Sequence, residues 1–61
     1  MSTSLGKILV IDDDEHIRRS LRALLCVKQY DVQLAANGRD GLACANECRP
    51  DLVILDLIMP G

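Results

Sequence analysis

Three aspartates of this 61-residue chain lie directly after apolar runs. Asp12 and Asp13 follow the run Ile8 to Ile11, and Asp56 follows the run Leu52 to Leu55. If the two runs are neighbouring parallel strands, the carboxylates meet at one edge of the sheet and repel one another. Mg²⁺ relieves such repulsion, prefers hard oxygen ligands and also binds phosphate oxygens. The pattern therefore predicts a Mg²⁺ site that handles phosphoryl groups.

Asp56 is the best candidate for a nucleophile. It is the only charged residue between Leu52 and Met59, and a carboxylate in such a run is costly to bury without a partner or a function. Beside Mg²⁺, an aspartate can attack phosphorus and form an aspartyl-phosphate. Asp12 and Asp13 are adjacent and are predicted to hold the metal together. Their alternative role is to cap the following helix, which Asp14 can do instead.

Strands and helices must alternate to position these acids. Apolar runs predict buried strands at about 7–12 and 52–56, and an alternating pattern predicts a shorter strand at 31–35. Helices are predicted at about 14–28 and 38–48. Strands alternating with helices indicate a parallel α/β sheet with right-handed crossovers.

Each predicted helix has its own signals. The apolar residues of the first helix share one face; they are Ile17, Leu21, Leu24 and Leu25. The second helix has Asn37 as a candidate N-cap and Pro50 after its end. Gly41 lies inside it, at a cost of about 1 kcal/mol relative to Ala.

Composition excludes several classes of protein. The 7 basic and 9 acidic residues give a net charge of −2, which argues against direct nucleic-acid binding. No apolar run approaches the roughly 20 residues needed to cross a bilayer, so no membrane association is expected. The 3 cysteines form no disulfide framework, which favours reduced thiols and a cytoplasmic location.

Three segments together resemble the first half of a bacterial response-regulator receiver domain: KILVIDDDEHIRRSL, AANGRDGL and RPDLVILDLIMPG. The resemblance runs from about Lys7 to Gly61 without a gap. It implies a flavodoxin-like parallel sheet of the 2-1-3-4-5 type, truncated here to β-α-β-α-β. We therefore expect residues 1–61 to be a partial receiver domain. The remaining strands and helices of a receiver carry a Ser or Thr and a Lys that contact the phosphoryl group.

The resemblance also implies roles for single residues. Asp56 is similar to the phosphoacceptor, which is phosphorylated by a sensor histidine kinase, a phosphotransfer protein or a small acyl phosphate. Asp13 is similar to the direct Mg²⁺ ligand, and Asp12 to the acid that acts through water. The backbone carbonyl of Ile58 is similar to a further ligand. The implied function is a phosphoacceptor module of a two-component phosphorelay, limited to self-phosphorylation and autodephosphorylation. Gln29 stands where the family often has a Gly, so a left-handed backbone is expected there.

Other interpretations remain open. A haloacid-dehalogenase-like phosphatase also has a nucleophilic Asp after its first strand, but its D-x-D-x-[TV] motif is incomplete here. A half-domain with only a structural role would self-associate through the exposed edge of the third strand. The polar side chains of the first helix, outside its apolar face, are expected to be solvated; they include His16, Arg18, Arg19 and Arg22. The three arginines are also candidates for kinase docking. Cys44 and Cys48 share a helical face, where ordinary thiols are favoured over a soft-metal pair.

Overall fold

The computed structural model of the protein describes residues 4–55. Asp56 and Ile58 lie outside the described residues. The chain order is strand, helix, strand, helix, strand, which confirms the predicted fold class. The elements are β1 (Lys7–Ile11), α1 (Glu15–Val27), β2 (Asp31–Ala35), α2 (Gly38–Cys48) and β3 (Leu52–Leu55).

β1 is the centre of a parallel three-stranded sheet with the order β2-β1-β3. β2 pairs with it from Lys7↔Asp31 to Ile11↔Ala35. β3 pairs with it on the other side, from Ile8↔Leu52 to Ile11↔Leu55. The two strands that end in predicted site residues are therefore neighbours, as the strand order of the resembled family implies.

The core forms around β1 because a strand lies on each side of it and both helices pack against it. Its four apolar residues, Ile8 to Ile11, are all buried, and Ala35 of β2 joins them. α2 covers the face that carries Leu9 and Ile11, where Cys44 and Ala45 pack against this cluster. On α1 the predicted apolar face is less buried than its pattern suggests, because Leu24 is more than half exposed.

α1 begins and ends where side-chain and backbone caps satisfy its terminal groups. Asp14 is the N-cap, and its carboxylate accepts a hydrogen bond of 2.8 Å from the His16 N–H. At the other end, Gln29 has a φ of 71°. The N–H groups of Gln29 and Tyr30 donate to the carbonyls of Cys26 and Leu25, which is a Schellman motif. The expected left-handed backbone at a non-glycine residue is confirmed.

α2 is capped by Asn37, whose side chain accepts a 2.8 Å hydrogen bond from the Asp40 N–H. It ends at Arg49, a left-handed C-cap with a φ of 49°, directly before Pro50. Gly41, which sequence reasoning treated only as a cost, permits the packing of this helix. A Cβ there would overlap the Ile11 side chain, with Cγ1 only 2.8 Å away. Any larger residue at this position would therefore require the Ile11 side chain to shift or α2 to move away from β1.

α1 is one residue shorter at each end than predicted, and β1 is one residue shorter at its carboxyl end. Asp14 and Lys28 are caps rather than helical residues. Asp12 follows the last paired residue of β1. Neither helix between residues 4 and 55 is long and apolar enough to cross a membrane.

Candidate functional site

The carboxyl ends of β1 and β3 lie side by side, with Ile11 paired to Leu55. Asp12 follows Ile11, and the loop from Asp12 to Asp14 leads into α1. In an open parallel sheet, ligands bind outside the carboxyl ends of the strands, near the point where the strand order reverses. β1 is that point, because the chain runs from it to β2 on one side and then crosses to β3 on the other. The loop therefore occupies the edge at which a site is expected.

Asp12 is buried, with only 4% of its surface exposed, and it is held at three points. Its N–H donates to the Ala35 carbonyl at 3.1 Å. Its Oδ1 accepts from the Asp14 N–H at 2.9 Å. Its carbonyl accepts from Nη1 of Arg18 at 2.6 Å. These contacts join the loop to β2, to itself and to the first turns of α1, so Asp12 has little freedom to move.

Asp13 is exposed, and its carboxylate makes no hydrogen bond or ion pair within the described part of the chain. Asp14 already caps the helix, so neither Asp12 nor Asp13 is needed for that role. The structure thus leaves the Asp13 carboxylate available at the sheet edge while its neighbours serve the fold.

Within the described part of the chain, no cationic side chain forms an ion pair with the carboxylate of Asp12 or Asp13. Among residues 4–55, the ion pair that forms is Glu15 with Arg19, at 3.4 Å on the exposed side of α1. A buried carboxylate beside an exposed one, both without a cation, is a donor set that suits a hard divalent ion. Residues 4–55 contain no group of three or more potential metal ligands. Of the predicted metal ligands, Asp12 and Asp13 lie within the described part of the chain.

Sequence reasoning missed two residues that hold the sheet in place, Arg18 at this edge and Asp51 at the opposite, amino end of the strands. Arg18 was assigned to a solvated or kinase-docking face, but its guanidinium turns back to the Asp12 carbonyl and is only partly exposed. Asp51 ties the start of β3 to β1. It accepts from the Lys7 N–H at 2.8 Å, and its own N–H donates to the Lys7 carbonyl at 2.8 Å. A Pro-Asp pair before an apolar run was the available signal for Asp51; Arg18 offered none.

The remaining candidates stay apart from the site. His16 is exposed, as predicted. The three cysteines are free, and the Sγ atoms of Cys44 and Cys48 are 3.7 Å apart on α2. Desolvation by its packing raises the pKa of the Cys44 thiol, and the hydrogen bond with Cys48 and the charges of Cys48 and Glu47 raise it further.

Comparison with known proteins identifies the family. The model of the response regulator receiver domain family matches residues 8–61, most of the chain. The chain belongs to the response regulator receiver domain family. Its elements and strand order are those of the first part of a receiver.

Several curated response regulators are similar to this receiver. Response regulator MprA of Mycolicibacterium vanbaalenii is 48% identical over 54 residues, which cover 88% of this chain and 23% of that protein. Transcriptional regulatory protein ResD of Bacillus subtilis is 46% identical over 59 residues, which cover 97% of this chain and 25% of that protein. DNA-binding response regulator MtrA of Mycolicibacterium smegmatis is 39% identical over 61 residues, which cover 100% of this chain and 27% of that protein. The chain therefore spans about a quarter of the length of these relatives.

Proposed function

We propose that this receiver is a phosphoacceptor module of a two-component phosphorelay and that Asp56 accepts the phosphoryl group. Asp12, Asp13, Asp56 and the Ile58 carbonyl would hold the Mg²⁺. The pairing of β1 with β3 in the register Ile11↔Leu55 carries the proposal. The next residues in the sequence are Asp12 and Asp56, so one acid follows each member of that pair.

The proposed chemistry is phosphoryl transfer to a carboxylate. An Asp56 oxygen attacks phosphorus, and the bond from phosphorus to the imidazole nitrogen of a phosphohistidine breaks. The imidazole leaves with the electron pair, and an aspartyl-phosphate forms. Bound Mg²⁺ supplies charge neutralisation and alignment of the phosphoryl oxygens. Asp13 contributes an available carboxylate, and the buried, hydrogen-bonded Asp12 fixes the loop that carries it.

The proposed phosphoryl donor is a sensor histidine kinase or a phosphotransfer protein. The arginine side chains of α1 that remain exposed, Arg19 and Arg22, flank a shallow surface with Ala23 and Cys26. A cationic patch of this kind suits docking of an acidic partner surface as well as simple solvation. The cytoplasmic location predicted from the sequence is consistent with such a donor and stays a prediction.

Phosphorylation is tested by intact mass after incubation with acetyl phosphate and Mg²⁺, using the protein at its full natural length. A phosphoryl adduct that hydroxylamine removes is expected in the wild type and absent in Asp56→Asn. Asp31→Asn is a matched control, because Asp31 is exposed at the opposite edge of the sheet. An adduct that persists in Asp56→Asn, or no adduct in the wild type, contradicts the proposal. Sustained turnover of a phosphate ester would instead favour a phosphatase.

We also propose self-association of the 61-residue chain through the free edge of β3. Among residues 4–55, β3 pairs with β1 alone, and Leu52, Val53 and Leu55 are each about half exposed. An apolar unpaired edge recruits another strand. Light scattering of the isolated chain should show dimers or larger species, and Val53→Lys should shift them toward monomers. A monomer at high concentration contradicts this second proposal without affecting the first.

A further inference from the structure

Arg18 makes a contact that the family resemblance did not anticipate. It lies near the start of α1, and its Nη1 donates a 2.6 Å hydrogen bond to the Asp12 carbonyl. The side chain is partly buried, whereas its neighbour Arg19 is exposed and pairs with Glu15. A short hydrogen bond from a charged donor is stronger than one between neutral groups. Arg18 therefore links helix α1 to the last residue before Asp13.

This link controls the backbone from which Asp13 projects. The Asp12 carbonyl and the Asp13 N–H belong to one planar peptide unit. Anchoring the carbonyl fixes the orientation of that plane and so limits the directions open to the Asp13 side chain. The Asp13 carboxylate has no partner of its own among residues 4–55, so nothing else on its side chain sets its direction.

We infer that Arg18 is a positioning residue for the Mg²⁺ site and orients the Asp13 carboxylate through the Asp12 carbonyl. The inference rests on the proposed function. It also predicts the direction in which the Mg²⁺ affinity changes when Arg18 is replaced. The guanidinium is a positive charge near a cation site, so its charge alone weakens Mg²⁺ binding, while its hydrogen bond strengthens binding by orienting a ligand.

The two effects are separated by comparing Arg18→Met with Arg19→Met in the protein at its full natural length. Both variants lose one positive charge from the same turn of α1. Isothermal titration with MgCl2 should show that Arg18→Met raises the Kd about tenfold, the low end for groups that support metal ligands. Arg19→Met should stay within about twofold, because exposed charges are screened by salt. Arg18→Lys, which retains one donor, should recover part of the loss.

A second measurement distinguishes positioning from loss of structure. The rate of phosphorylation by acetyl phosphate in Arg18→Met should fall at low Mg²⁺ and approach the wild-type rate when Mg²⁺ saturates. Circular dichroism without metal checks that the variants fold. Arg18→Ala, which also removes the donor, replaces Arg18→Met if Arg18→Met does not fold.

Tighter or unchanged Mg²⁺ binding in a folded Arg18→Met or Arg18→Ala overturns the inference. So does an equal loss in Arg19→Met, because Arg19 pairs with Glu15 rather than with the Asp12 carbonyl, and the loss would then not depend on the Arg18 hydrogen bond. Failure of the proposed function is distinguishable, because the wild type would then bind no Mg²⁺ before any variant is compared. Wild-type binding with no effect at Arg18 defeats only the positioning role.

Discussion

β1 and β3 have nearly the same sequence but different surroundings. Each is a run of four Ile, Leu or Val residues followed by Asp. In β1 the whole run is buried, whereas three of the four residues of β3 are about half exposed. β1 has a strand on both sides, and both helices pack against it. Open grooves remain beside β3, of about 430 Å³ next to α1 and about 290 Å³ next to α2. An apolar run therefore predicts a strand, but its neighbours decide how much it stabilises the fold.

The sharpest way to break this comparison is to truncate one leucine in each strand. Leu9 is 1% exposed and Leu52 is 54% exposed. Leu9→Ala should lower the free energy of unfolding by about 2–5 kcal/mol, because it leaves a cavity in the core. In the isolated 61-residue chain, where Leu52 is half exposed, Leu52→Ala should cost about 1 kcal/mol or less, because less apolar area returns to water. Urea unfolding followed by circular dichroism measures both. Equal losses would mean that the two strands contribute alike to stability.

The next prediction tests how α2 covers β1. Gly41→Ala should destabilise the protein by about 1–3 kcal/mol although Ala is the better helix former, because its methyl overlaps Ile11. Gly38→Ala is the matched control. Nothing lies within 4 Å of a Cβ at Gly38, so this change should be neutral or slightly stabilising.

Ile11→Val provides a partial rescue for that prediction. The Ile11 Cδ1 atom is the closest to the added methyl, and valine lacks it, although valine keeps a Cγ1 atom like the one 2.8 Å away. In a double-mutant cycle, Gly41→Ala should therefore cost less in the Ile11→Val background than in the wild type. Additive losses would contradict the proposed overlap.

A smaller effect is expected where β3 is fastened to β1. Asp51→Ala removes the acceptor of the Lys7 N–H, a contact of 2.8 Å at an exposed position, and should cost about 1 kcal/mol. Asp31→Ala at the start of β2 is the control, because no hydrogen bond to its carboxylate forms within residues 4–55. Thermal unfolding compares the two variants. Equal shifts would indicate a general charge effect rather than the Asp51 contact.

Sequence patterns predicted the elements because their signals are local. Asn37 and Pro50 bound α2 within one turn of chain, and the Gln29 conformation follows from its place after α1. The adjacency of β1 and β3 came from the family resemblance. The fit of Gly41 against Ile11 and the return of Arg18 to Asp12 depend on distances between elements, which periodicity does not encode.

The candidate site also has some features that follow from local sequence and others that depend on contacts between elements. Asp12 and Asp13 were chosen because acids after a buried strand have a recognisable pattern, and both lie at the predicted sheet edge. Their distinct environments were not predictable, since burial of Asp12 requires β2, α1 and the loop together. The metal role of both residues and the phosphoacceptor role of Asp56 remain predictions.

The smallest predicted effect concerns Cys44, which lies on the face of α2 that packs against β1. Cys44 packs against the cluster of Leu9, Ile11 and Ala35, and this packing with its neighbours raises its pKa. The thiolate is the reactive form, so a raised pKa leaves less of it at a given pH. Alkylation of Cys44 by iodoacetamide should therefore reach half its maximal rate at a higher pH in the folded protein than in the urea-unfolded protein. Peptide mapping after timed labelling gives the Cys44 rate in each state. Cys48→Ser removes the neighbouring thiol and should move the Cys44 midpoint of the folded protein part of the way down, leaving the share due to packing. A Cys44 midpoint that is no higher in the folded than in the unfolded protein would mean that α2 does not hold Cys44 against β1, and the contrast between a covered β1 and an open β3 would then be weaker than the packing indicates.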